Sequence, residues 1–100
     1  MSELNRILEN NGKATFVMFR APWCGPCDKV QVDFDARVAA TKVSAVIVDV
    51  DKNEEAAAKY GIKAMPTYKV LSAVGKEIWS RTGGALPTIN EGITVTQKQP

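Results

Sequence analysis

Two stretches of this chain leave little room for anything but strands buried on both faces. Thr15-Phe16-Val17-Met18-Phe19, within Ala14 to Arg20, and Ala45-Val46-Ile47-Val48-Asp49-Val50 are dense in β-branched and aromatic residues and lack the polar alternation of a half-exposed strand. Between them Val30, Phe34 and Val38 recur at i, i+4 and i+8, from about Cys24 to Thr41. Asp28, Lys29, Asp33, Asp35 and Arg37 mostly fill the other faces of what reads as a helix. Helices between consecutive strands require crossover connections, so strands linked in this way are expected to be parallel where adjacent.

The rest of the chain fits around that unit. Ser2 suits a helix N-cap before Leu4, Ile7 and Leu8, with Asn10-Asn11-Gly12 ending the helix. Asn53 can cap a short helix from Glu54 to Tyr60, stopped by Gly61. Beyond Met65-Pro66, strands at Thr67 to Ser72 and Glu77 to Arg81 are joined as a hairpin through Ala73 to Lys76. At the end, Pro87, Ile89 and Ile93 suggest a short helix, weakened by Gly92 and the run Ile93-Thr94-Val95-Thr96, before a frayed polar tail from about Gln97. The expected order is α-β-α-β-α-β-β-α. No linker or repeat interrupts it, and residues 1–100 read as one domain, the size at which one core suffices.

Composition narrows the chemistry. There are 13 Lys and Arg against 11 Asp and Glu, and the +2 excess is spread along the chain, so nothing favours nucleic acid or an anionic membrane as partner. The N-terminus carries Glu3 and Arg6 where a signal peptide needs an apolar run, and no apolar stretch approaches a membrane span. The expected compartment is therefore a reducing cytoplasm. Histidine is absent, so an imidazole base, a Cys/His or Ser/His pair and a histidine metal ligand are all excluded. Chemistry has to run on cysteines, carboxylates, lysines or backbone groups.

The two cysteines lie in Trp23-Cys24-Gly25-Pro26-Cys27, directly after a buried strand and at the start of a helix. Cysteines three apart at a helix start can close a disulfide without unwinding the helix. The first sulfur sits at the exposed end, where free amides and the positive end of the helix dipole stabilise a thiolate. Pro26 wastes no amide there and stiffens the turn. This reading makes Cys24 reactive and Cys27 shielded. The same spacing serves as half of a zinc site, but the chain has no third cysteine and no histidine to complete four ligands. A purely structural disulfide is disfavoured because so small a ring removes little entropy from the unfolded chain.

The pentapeptide, the strand before it and the later Met65-Pro66-Thr67 resemble the thioredoxin family, and the resemblance runs from about Leu4 to Leu86. It implies a thioredoxin-like α/β fold that lacks the family's first β-strand, with a central four-stranded mixed sheet flanked by helices. It also implies reduction of protein disulfides by dithiol exchange, with Cys24 as nucleophile and Cys27 as resolver. No metal or bound cofactor is needed; electrons would come from a thioredoxin reductase using NADPH, and the chain would act as a monomer. Pro66 matches the family's cis proline, although by sequence alone it reads as an ordinary strand-start proline. Trp23, Gly25, Pro26, Met65 and Gly83 match the surface that receives a substrate segment. Taken singly, Trp23 and Trp79 read as packing residues and Gly83 as a turn residue. The Gly-Pro between the cysteines is similar to the reducing members and differs from glutaredoxins, which use glutathione.

Four departures from the family pattern stand out. Met18 and Ile47 occupy the positions where the family carries a buried carboxylate and its lysine. Losing both avoids a stranded charge, but it removes acid-base help for Cys27, so exchange is expected to be slower. Arg20 replaces an aromatic at the strand end and either favours the Cys24 thiolate or points to solvent. Asp28 stands where many relatives have lysine and opposes a thiolate. The helix after Cys24 also lacks a kinking proline. These losses leave open a second role as an accessory or scaffold subunit that needs no redox turnover.

Overall fold

The computed structural model describes residues 12–99. Its strands are β1 (Thr15–Arg20), β2 (Ala45–Asp49), β3 (Thr67–Leu71) and β4 (Glu77–Thr82); its helices are α1 (Gly25–Thr41), α2 (Glu54–Lys59) and α3 (Leu86–Gln97). The helix expected after Ser2 lies outside the described residues. The strands form one four-stranded mixed sheet in the order β2-β1-β3-β4.

β1 is central and sealed on both faces. Phe16 and Met18 join Tyr68 and Val70 of β3 beneath Val30 and Phe34 of α1 and Ile89 and Ile93 of α3. Val17 and Phe19 join Val48, Leu71 and Ala56 of α2 on the opposite face. Fully buried residues of both parities explain why β1 has no polar alternation.

β1 and β2 are parallel, as the intervening α1 requires. The expectation that helix-linked adjacent strands are parallel fails at β3, which runs antiparallel to β1 with Phe19 opposite Thr67. The segment that carries α2 returns to the end of the sheet where β2 finishes and does not cross to the other end, so the chain enters β3 from there. β4 completes the expected antiparallel hairpin, with a register shift at Val70/Leu71.

α3 is a full 12-residue helix despite Gly92. A Cβ at Gly92 would come within 2.4 Å of the Phe16 ring and 3.0 Å of the Trp79 ring, so the glycine permits close packing of α3 on the sheet. The Thr94 and Thr96 hydroxyls donate to the carbonyls of Asn90 and Gly92, four residues back, so both hydroxyls are satisfied within the helix.

Candidate active site

The parallel pair β1/β2 and the antiparallel β3 bring the end of β1 and the start of β3 to one end of the sheet. The turn after Arg20 carries Cys24, the N-cap of α1, with an extended backbone and its N–H donating to Ala21 O at 3.1 Å. Cys27 lies in the first turn and donates its N–H to Cys24 O at 3.2 Å. The two sulfurs are bonded to each other, with Cα atoms 5.3 Å apart. Pro26 sits in the first turn of α1, where the missing amide costs no helical hydrogen bond.

Cys24 keeps 6% exposure and Cys27 none. The asymmetry has the expected direction, but in the disulfide form Cys24 is itself largely covered, more than a helix start alone suggests. Beside it Trp23 is 68% exposed, and Gly25 and Pro26 are exposed.

From the loop before β3, Met65 packs against the cluster that contains both cysteines, and the Met65-Pro66 bond is cis, as the resemblance implies and against the strand-start reading. Pro66 O accepts the Gly83 N–H at 2.7 Å, which fixes the loop after β4 to the entry of β3. Gly83 adopts φ +75, with open space where a Cβ would stand. Of the residues matched to the substrate surface, Trp23, Gly25 and Pro26 flank the cysteines in sequence, Met65 packs against the cluster that contains them, and Pro66 and Gly83 are tied to each other. Trp79 lies elsewhere: its ring meets Phe16 edge-on at 6.1 Å, and its Nε1 donates to Glu91 at 2.8 Å.

Two side chains near the cysteines differ from, or were missing from, the sequence reading. Trp23 Nε1 donates to the Asp51 carboxylate at 3.1 Å, across 28 residues. Nothing local marks Asp51, though its place just past a buried strand puts it at the same end of the sheet. Arg20 does not point to solvent. Its side chain is 15% exposed and donates to Asp28 at 2.6 Å, Gln31 at 2.5 Å and Ala21 O at 3.4 Å.

Met18 and Ile47 are direct register partners, so the two apolar replacements lie side by side. Tyr68 faces Met18 from β3 and is fully buried, and its hydroxyl has no hydrogen-bond partner among the described residues. Burial, aided by the negative Asp33, pushes its phenol up to about 12. Among the described residues, no group of three or more Cys, His, Asp or Glu is placed to hold a metal ion, and no helix is long and apolar enough to cross a membrane. The site is therefore a cysteine pair at a helix start, with Met65 packed against the same core cluster, an arrangement that in its reduced form is suited to attack on a disulfide sulfur.

Known proteins are similar to this chain in sequence and in fold. The chain is 39% identical over 84 residues to chloroplastic thioredoxin Y2 of Arabidopsis thaliana, covering 81% of this chain and 48% of that protein. It is 39% identical over 66 residues to thioredoxin of Pyropia yezoensis, covering 64% and 62%. It thus spans about half to three-fifths of the length of these curated relatives. The X-ray structure of Fasciola hepatica thioredoxin superposes with a TM-score of 0.85 at 38% identity, over 93% of this chain and 90% of that one. The family model for thioredoxin matches residues 1–94, and the chain belongs to the thioredoxin family.

Proposed function

We propose that the protein reduces protein disulfides by dithiol exchange. The observation that carries this reading is the Cys24–Cys27 disulfide at the start of α1, with Met65, the residue before Pro66, packed against the same cluster. In the reduced protein the Cys24 thiolate attacks one sulfur of a substrate disulfide. A mixed disulfide forms, and the first substrate sulfur leaves as a thiolate that takes a proton. Cys27 then loses its proton and attacks Cys24 Sγ. The second substrate thiol departs, and the Cys24–Cys27 disulfide forms. Two electrons have passed to the substrate, and no bound cofactor takes part.

Trp23, Gly25, Pro26, Met65, Pro66 and Gly83 form the surface on which the substrate segment rests. Electrons return from a thioredoxin reductase using NADPH, and a single chain carries the whole site and acts as a monomer. A Gly-Pro dithiol suits a compartment that keeps thiols reduced, which favours the cytoplasm; thioredoxin Y2 shows that relatives also work in chloroplasts. With Met18 and Ile47 in place of a buried acid and its lysine, water serves Cys27, and the resolving step is slower and more pH-dependent.

Insulin reduction coupled to such a reductase tests the activity. Cys24→Ser abolishes it, and retained turnover would overturn the mechanism. Met18→Asp with Ile47→Lys raises the rate and moves its pH profile; an unchanged profile removes the proton-transfer argument. The apolar Met18/Ile47 pair also supports the second reading, an accessory or scaffold subunit. A Cys24→Ser/Cys27→Ser variant that keeps the cellular role would establish it.

A further inference from the structure

Arg20 lies at the end of β1, on the strand face that carries Phe16 and Met18, beneath the first turns of α1. Its guanidinium is mostly buried and spends its donors on three groups. One is the carboxylate of Asp28, the residue after Cys27, and another is the side-chain oxygen of Gln31, three residues further along the same helix face. The third is the carbonyl of Ala21, which also accepts the Cys24 N–H. Arg20 therefore holds both the backbone turn that carries Cys24 and the nearest acidic side chain in sequence to the cysteine pair.

That acid matters because Asp28 lies in the first turn of α1, the helix whose N-cap is Cys24. A free carboxylate there opposes a negative sulfur at the N-cap, against the pull of the helix dipole. Other charged side chains belong to the elements that meet at this end of the sheet. Asp49 ends β2, and its carboxylate accepts the Asp51 and Lys52 amides. Asp51 binds Trp23; Lys29 follows Asp28 on α1; Lys52 and Lys63 are exposed on the neighbouring loops. Among the described residues, Arg20 is the cation that contacts both Asp28 and the cysteine turn.

We propose that Arg20 is a positioning residue for Cys24: by binding Asp28 it prevents that carboxylate from opposing the nucleophilic thiolate, and through Ala21 O it fixes the turn that presents the sulfur. The proposal rests on the exchange chemistry above for its biological meaning, though not for its measurement. Thiolate absorbance of the reduced protein, followed against pH without substrate, reads the Cys24 ionisation directly, and a redox equilibrium with glutathione reads the couple.

Arg20→Met lowers the thiolate-to-thiol ratio of Cys24 at a fixed pH by about threefold, the size of one neighbouring charge roughly 6 Å away with the dielectric screening of bulk water. Arg20→Lys retains much of the parent ratio. In Arg20→Met/Asp28→Asn the ratio returns close to the parent value, because the residue Arg20 acts through has been neutralised. Asp28→Asn alone raises the ratio and provides the test if Arg20→Met does not fold.

A parent-like titration in Arg20→Met, a double variant as displaced as that single variant, or no change in Asp28→Asn each overturns the proposal. If the shifts occur but insulin is not reduced, the proposed function fails and the role of Arg20 stands. If insulin is reduced and the titrations do not move, the reverse holds.

Discussion

At Gly92 a helix-weakening residue is kept because a side chain would collide with two rings. Gly92→Ala puts a methyl group against Phe16 and Trp79 and should destabilise the protein by about 2 kcal/mol, the usual cost of overpacking, measured by urea denaturation. Tyr68 presents the opposite case, a buried hydroxyl with no described partner. Tyr68→Phe removes that unpaired group and should be neutral or stabilising by up to about 1 kcal/mol. The same phenol predicts alkaline behaviour. Its folded value is raised above its ordinary 10 to about 12, so the folded state retains a proton that the unfolded chain gives up. The contribution is fully present below pH 10 and lost as pH rises towards 12. Urea midpoints should fall across that window in the parent and fall less in Tyr68→Phe. Cys24 and Cys27 were legible as a site because their chemistry is local: a spacing of three at a helix start. The contacts of Arg20 with Asp28 and of Trp23 with Asp51 were not legible, since they depend on how the strand ends and the loops after them meet in space.

Among the elements, β1 and α1 could be read from apolar pattern alone, whereas β2, expected to be buried on both faces, is an edge strand of the described sheet that is half-buried except at Val48. The direction of β3 could not be read, because it depends on which end of the sheet the chain returns to after α2, and apolar periodicity does not encode that choice. α3 was underestimated for a related reason: a propensity scale counts Gly92 as a loss and cannot see the ring beneath it. The β3–β4 hairpin holds one feature that no pattern announces. Lys69 on β3 is buried, yet its ammonium donates to Glu77 and, at 3.0 Å, to Ser80 Oγ on β4. Glu77→Leu leaves that cation poorly matched and should cost about 2 kcal/mol, moderated because Glu77 is partly exposed. Adding Lys69→Met should recover most of the loss. Equal stability of the single and double variants would show that the ion pair does not tie the hairpin together.

At the scale of the whole molecule, the only possible intrachain cross-link is the Cys24–Cys27 disulfide, since the chain has no other cysteine. So short a loop constrains the unfolded chain weakly. Reduction should lower unfolding stability by about 2 kcal/mol on chain entropy alone and leave the fold intact, as urea transitions with and without reductant will show. The core is shared between two faces, and the cysteines belong to just one of them, with α1, α3, Phe16 and Met18. Val17, Phe19, Val48, Leu71 and Ala56 form the other. The sheet is thus a partition between a reactive side and an inert one. Sequence drift behind the partition can change how long the molecule survives without altering how its sulfurs react, so durability and reactivity are open to selection separately.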